Sequence, residues 1–314
     1  MTLKPANLAT LPPAQGLPNL GATCWLNALT QAMCTCESVR TWAQEAAARP
    51  GAAALVRAFA ALPAASTGAK QKEDSSAAMV AFVRELRAAL HAQGRRFRAG
   101  GNECAGEGLV WLCDALDRGL PWQDHVSQRV MHRVTERAEC SCGATGTVTN
   151  TEQLHYVVTG RVDDILDSEN DTDWRCPECQ KNPEQPLGVA VHRSQLSRVR
   201  EVLVVLFPKY LRKRDTPVPP RLRVRRARGG AFVYGAVAAV DHFGGMSGGH
   251  YTARCLRRVD TGGGAQVAEY DLNDSSARLM GAAHSVGEAS ETAPAISGRP
   301  STHLVFYELL AAQD

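Results

Sequence analysis

Long apolar runs are missing from this sequence: nowhere do about eighteen consecutive apolar residues, the length that crosses a bilayer as a helix, stand together. The opening residues MTLKPANLATLPP lack the charged and apolar pattern of a secretion signal. Charge of one sign is equally scarce. Lys and Arg number 35 against 32 Asp and Glu, a net +3 that does not by itself call for a nucleic-acid partner. These absences make an intracellular, reducing location without membrane association the expectation. There the ten cysteines point to catalysis, metal binding and core filling rather than to disulfides. At 314 residues, 21% charged and 44% hydrophobic, the chain allows one large soluble domain or two modest ones.

The most informative stretch is Gly16 to Met33, GLPNLGATCWLNALTQAM. A lead-in rich in Gly, Pro and Asn ends at Thr23, the expected N-cap, and Leu26, Leu29 and Met33 then recur at helical spacing. Cys24 is thus expected in the first turn of a buried helix, where backbone N–H groups and the positive end of the dipole favour a thiolate. That makes it a candidate nucleophile; the competing reading is a buried structural thiol. Far downstream, VDHFGGMSGGHYT places His242 and His250 on either side of a Gly-rich loop, and YTARCL alternates as a strand should. Gly248 and Gly249 permit close backbone approach, and His250 begins the strand, so its ring sits on a rigid element. EYDLNDSS follows, with Asn273 beside Asp274. Cysteine, then histidine, then Asn or Asp is the chain order of papain-like cysteine proteases, in which a neutral His takes the thiol proton and the third side chain fixes its tautomer.

On these residues the chain resembles the ubiquitin-specific proteases, the papain-like family of deubiquitinases. GLPNLGATCWLNALTQ is similar to that family's Cys box, approximately GLxNLGxTCYxNxxLQ, with Trp25 in place of Tyr. YGAVAAVDHFGGMSGGHYTA is similar to its His box, approximately YxLxAVxxHxGxxxxGHYxA, and LNDSS to the segment that follows. The resemblance implies Cys24 as nucleophile, His250 as general base, Asn273 as the residue orienting His250 and Asp274 as a substitute or helper. It implies Asn19 as an oxyanion donor, a role that suits an amide. Gly244, Gly245, Gly248, Gly249 and Tyr251 would bind the substrate's tail. The implied fold is α+β and papain-like, a single catalytic domain over 1–314. Its parts are a helical thumb over about 14–125, antiparallel-β zinc-ribbon fingers over about 126–197 and a β-sheet palm over about 198–314.

Helices are expected around Ser38–Ala47, Ala52–Ala61 and Ser76–His91, with breaks at Pro50 and Pro63 and a polar loop over Thr67–Ser76. NECAGEGLVWLCDALDRGL, from Asn102, predicts another helix through Leu109, Leu112, Cys113 and Leu116. It resembles the family's QQDAxEFLxxLLDxL but departs from it at Asn102, Glu103, Cys104 and Gly108. From Val126, β-branched residues in rough alternation predict a hairpin-rich sheet. Inside it lie Cys140-x-Cys142 and, after 33 intervening residues, Cys176-x-x-Cys179. Two such knuckles wrap a tetrahedral Zn²⁺, and four thiolates close the shell, so the metal would be structural. The family's first knuckle usually has two residues between its cysteines. Cys34, Cys36, Cys104, Cys113 and Cys255 are expected as core or surface thiols.

Asp163 to Asp173 reads as a solvated acidic loop, and RVREVLVVLF from Arg198 as an apolar strand. Lys209 to Arg228 carries nine Lys or Arg residues, and the alternation in RLRVRRAR predicts the solvated face of an edge strand. No aromatic interleaving accompanies it, so nucleic acid is not the expected partner. Gly281 to Thr302 reads as a polar loop, and HLVFYELL as a closing strand. The expected function is thiol-dependent hydrolysis of the (iso)peptide bond after the C-terminal Gly-Gly of ubiquitin, with ubiquitin and ubiquitinated proteins as partners. Three alternatives stay open: a protease for a ubiquitin-like modifier, a ubiquitin-binding scaffold without activity, and a basic zinc-containing nucleic-acid binder.

Overall fold

The structure is a computed structural model. It describes residues 15–65, 71–95, 103–146, 148–153, 156–157, 167–181, 188–207, 218–225, 230–245, 248–260, 265–280, 284–285 and 295–313. Five helices come first: α1 (Cys24–Thr35), α2 (Glu37–Ala47), α3 (Ala54–Ala65), α4 (Gln71–His91) and α5 (Ala105–Asp117). Every residue of α1 is buried. A helix apolar on most of its circumference has to be enclosed, and α1 lies between α2 and α5 on one side and the large sheet on the other. Two expectations are corrected here. The helix α3 runs through Pro63 to Ala65, because a proline two residues from a helix end removes only a terminal bond. Residues 71–76, expected as loop, open α4, since Gln, Lys and Glu are good helix formers and acids suit a helix N-terminus. Residues 67–70 and Asn102 lie outside the described residues. On α4, Met79, Phe82, Val83, Leu86 and Leu90 are buried, whereas Val80 faces out.

Ser127–Val130 forms a short helix, α6, where strand was expected. Asp117, at the end of α5, accepts the N–H groups of Val126 and Ser127 and so caps it. Next come β1 (His132–Cys140), β2 (Thr149–Gln153), β3 (Tyr156–Val157), β4 (Asp167–Asp171), α7 (Pro177–Gln180) and β5 (Ala190–Arg198). The first sheet has the order β2-β1-β5-β4, all antiparallel. Residues 167–171 of the expected acidic loop are thus an edge strand. The backbone ladder with β5, in which Glu169 is in register with Arg193, makes a strand of DSEND in spite of its poor strand propensity. Residues 163–166 lie outside the described residues.

The second sheet holds β6 (Val202–Leu206), β7 (Arg221–Arg225), β8 (Ala231–Gly245), β9 (Gly248–Asp260), β10 (Ala265–Asn273), β11 (Ser276–Leu279), β12 (His284–Ser285) and β13 (Thr302–Gln313). Its order is β11-β10-β9-β8-β13-β6-β3, with β7 added to β8 and β12 to β10; β3 alone runs parallel to its neighbour. The last strand of the chain therefore enters the middle of the sheet. Leu304 and Phe306 face the core built on α1, while Val305, Tyr307 and Leu309 face a second core on the other side. A continuous apolar run is what a strand covered on both faces needs. On β7, Leu222 and Val224 are buried and Arg223 is exposed. Lys209 to Pro217, Arg226 to Arg228, and residues 281–283 and 286–294 lie outside the described residues, while His284 and Ser285, expected as loop, form β12 through their ladder with β10. No described helix is long and apolar enough to cross a membrane.

A buried ion pair fastens β8, β9 and β13. Arg254 donates to both carboxylate oxygens of Asp241, at 2.6 and 3.3 Å, and to Thr302 Oγ1 at 3.1 Å, while the Thr302 hydroxyl donates to Asp241 at 2.9 Å. Both charges are 1% exposed, and removing one partner of such a pair typically costs about 3–5 kcal/mol.

Candidate functional site

The approach to α1 is organised by Asn19. Its Oδ1 accepts the N–H groups of Gly21 at 3.0 Å and Thr23 at 3.2 Å, an Asx-type turn that accommodates left-handed backbone at Gly21 (φ +92°) and Ala22 (φ +48°). Thr23 occupies the N-cap position, but its side chain does not cap the helix; its hydroxyl accepts the Leu20 N–H at 2.9 Å. The first-turn N–H groups of α1 thus receive no cap from Thr23, which suits a site where negative charge develops. Cys24, 6% exposed, is the first residue of the helix.

His250 lies on β9, opposite Phe243 of β8, and its Nε2 is 2.7 Å from Asn273 Oδ1 at the end of β10. The next residue turns the other way. Asp274 (φ +47°) begins the β10–β11 turn, and its carboxylate accepts from Asn19 Nδ2 at 3.0 Å and Asn27 Nδ2 at 2.7 Å. Asn27 also reaches the Leu17 and Pro18 carbonyls, so it ties α1, the lead-in and the turn together. One dipeptide therefore faces His250 with its first side chain and brackets Cys24 with its second. Gly16 is needed at this junction: a Cβ there would sit 2.0 Å from the Asp274 carbonyl oxygen. Neither Asn27 nor Gly16 carried a role in the sequence reading, although both stand inside the Cys box.

The four glycines close the β8–β9 hairpin, Gly244 opposite Gly249 and Gly245 opposite Gly248. Gly244 has φ +129°, and a Cβ on Gly249 would meet His242 Nε2 and the Phe243 carbonyl oxygen, each at 2.4 Å. Tyr251 is buried, its ring 4.4 Å from that of His242. Beneath Cys24, the departure at Gly108 has a partner. The Trp25 ring occupies the space a side chain at 108 would fill, with Cζ3 2.3 Å from an ideal Cβ.

At the end of the first sheet, one thiol each from Cys140, Cys142, Cys176 and Cys179 lies within 4.8 Å of the other three. The short first knuckle closes because Cys140 ends β1 and Gly143 (φ +91°) turns the chain back at once. Backbone N–H groups aim at the sulfurs: that of Cys142 at Cys140, of Ala144 at Cys142 and of Gly188 at Cys179. The Cys142 N–H, with help from neighbouring thiols, holds the Cys140 thiol down to about 7. Four sulfurs at this spacing with N–H donors behind them fit a tetrahedral metal ion.

A helical layer, a large sheet and a second sheet tipped by four cysteines define an α+β fold of papain-like type. The family model for ubiquitin carboxyl-terminal hydrolase matches residues 15–282, and the chain belongs to that family of deubiquitinases. No curated protein sequence matches it. Among solved structures, the Ubp8/Sgf11/Sus1/Sgf73 DUB module of SAGA bound to monoubiquitin aligns with 99% of this chain and 72% of the other, at TM-score 0.70 and 16% identity. The same module bound to ubiquitin aldehyde covers the same shares at TM-score 0.70 and 15% identity. A yeast SAGA DUB module covers them at TM-score 0.67 and 14% identity.

Proposed function

We propose that this chain is a cysteine-type deubiquitinase in which Cys24 attacks the carbonyl of the terminal glycine of ubiquitin. The observation that carries this reading is the Asn273–Asp274 dipeptide, which links His250 to the loop and helix start around Cys24. With Nε2 of His250 donating to Asn273, Nδ1 is left with its lone pair to take the thiol proton and later return it to the leaving lysine amine. Asn19 gives one Nδ2 hydrogen to Asp274 and keeps a second for the oxyanion. Asp274 acts on Asn19 and Asn27 rather than on His250. Water activated by His250 then releases the thioester.

Ubiquitin is the proposed substrate, because the family acts on ubiquitin and the aligned modules hold monoubiquitin and ubiquitin aldehyde. The division into thumb (14–125), fingers (126–197) and palm (198–314) is proposed with it. The glycines at 244, 245 and 249, exposed, and at 248, half-buried, leave room for a tail that ends in two glycines. Cys140, Cys142, Cys176 and Cys179 would hold Zn²⁺, which in a closed thiolate shell supplies structure and no chemistry.

The test is reaction with ubiquitin carrying an electrophile in place of its C-terminal carboxylate. An adduct with wild type and none with Cys24→Ala, which should still bind ubiquitin while losing all hydrolysis, is expected. Equal turnover by Cys24→Ala would remove Cys24 from the mechanism, and an adduct only with a ubiquitin-like modifier would change the substrate.

A further inference from the structure

A second thiol and imidazole meet outside the site just described. Cys104 stands at the N-cap position of α5, half-buried, and its Sγ is 3.6 Å from Nε2 of His303 on β13. His303 is 8% exposed, so the imidazole is held in the wall while the thiol keeps access to solvent. Next to it Gly106 packs closely on β6, where a Cβ would press on Leu206 at 3.3 Å and stand in ordinary contact with Cys104 Sγ at 3.6 Å. The pair continues toward the catalytic hairpin. The His303 ring lies 5.9 Å from Tyr251 and 6.2 Å from His242, and His242 abuts Gly249, the neighbour of His250. One turn further along α5, Gly108 receives the ring of Trp25, the neighbour of Cys24. Cys104 therefore sits on the seam where α5 meets β6 and β13 of the sheet, at one end of a chain of rings, His303, Tyr251 and His242, that leads to the hairpin carrying His250.

We propose that Cys104, with His303 as its base, is an oxidant-sensitive modification site that controls the seam. Three features act together: a helix N-terminus, a buried imidazole in contact, and partial exposure, the surroundings in which a thiol reacts. The co-reactant is a hydroperoxide. His303 Nε2 takes the thiol proton, and the sulfur attacks one peroxide oxygen. An S–O bond forms and the O–O bond breaks. The departing oxygen takes the proton from His303 and leaves as water from hydrogen peroxide, or as an alcohol from an alkyl hydroperoxide, so the thiol is oxidised by two electrons to sulfenic acid and the peroxide is reduced. The added polar oxygen lies in the seam, and the oxidised protein loses affinity for ubiquitin. That consequence rests on the function proposed above; the reactivity of the thiol does not.

The experiment uses the full chain, zinc-loaded and carrying Cys24→Ala, treated with hydrogen peroxide and a dione that traps sulfenic acids, with adducts located by peptide mass spectrometry. Cys104 should be trapped ahead of the buried Cys34, Cys36, Cys113 and Cys255. His303→Gln should slow the trapping about tenfold, less than the hundredfold or more that a positioned base contributes in an evolved active site. Oxidation should weaken ubiquitin binding by Cys24→Ala and leave the double variant with Cys104→Ser unaffected. Trapping of the buried thiols before Cys104, an unchanged rate in a folded His303→Gln, or unchanged binding after complete oxidation of Cys104 overturns the proposal. Where His303→Gln does not fold, the order of trapping in the parent protein decides. Failure of the untreated protein to bind ubiquitin counts against the proposed function, while the trapping, which needs no ubiquitin, still judges Cys104.

Discussion

Asn273 and Asp274 are neighbours of similar size and polarity, yet they face different partners. Asn273 contacts His250, and Asp274 holds two amides on the Cys24 side. Their substitutions should fail differently. Asn273→Ala should lower kcat through a disordered His250 and alter the pH profile of kcat/KM. Asp274→Ala should lower kcat by about 10²–10³, as loss of an oxyanion donor does, with the shape of the profile unmoved. Steady-state kinetics on a fluorogenic ubiquitin substrate across pH would show this. Identical profiles for the two variants would contradict the separate roles.

At the scale of elements, the four-cysteine end of the first sheet depends on one glycine that the cysteine pattern does not reveal. A Cβ on Gly188 would stand 2.5 Å from Cys140 Sγ and 2.9 Å from Ser141 Oγ. Gly188→Ala should therefore purify with much less than an equivalent of zinc. Trp174, packed on the same cluster, should report the loss by a red-shifted emission, and a chelator should give wild type the same spectrum. A full zinc equivalent in Gly188→Ala would show that the knuckle tolerates the methyl. The acidic strand β4 carries a related lesson. No strand pattern marks DSEND, and only its backbone ladder with β5 makes it one.

For the whole molecule, two buried groups set opposing pH dependences. Burial pushes His132 down to about 4 from 6.5. It costs nothing above about 6.5, where folded and unfolded chains are both neutral, and stability is lost as pH falls from there toward 4. Burial pushes Glu308 up to about 7 from 4.5. It costs nothing below about 4.5, and stability is lost as pH rises from there toward 7. The slopes are opposite over nearly the same window and largely cancel. Glu308→Gln removes one of them, so it should stabilise the protein above pH 7 by as much as about 3 kcal/mol. Below pH 6.5 its stability should then rise with pH. Urea midpoints across the window would show both; an unchanged midpoint above pH 7 would mean that Glu308 is not held protonated.

The sequence by itself determined what acts over short stretches. Helical spacing after Cys24, two-residue alternation after His250 and the knuckle pattern of four cysteines all arise from local geometry, so the nucleophile, base and metal candidates were legible without coordinates. The tertiary structure decided which groups meet. Asn19 and Asp274 are 255 residues apart, and nothing near either one says that the carboxylate serves Asn19 and Asn27 while its neighbour takes His250. The same holds for the Trp25 ring against Gly108, for Gly188 over the sulfurs and for Cys104 beside His303. Those choices are made by the packing of α1 and α5 on a sheet whose last strand enters at its centre, and packing is a property of the whole chain.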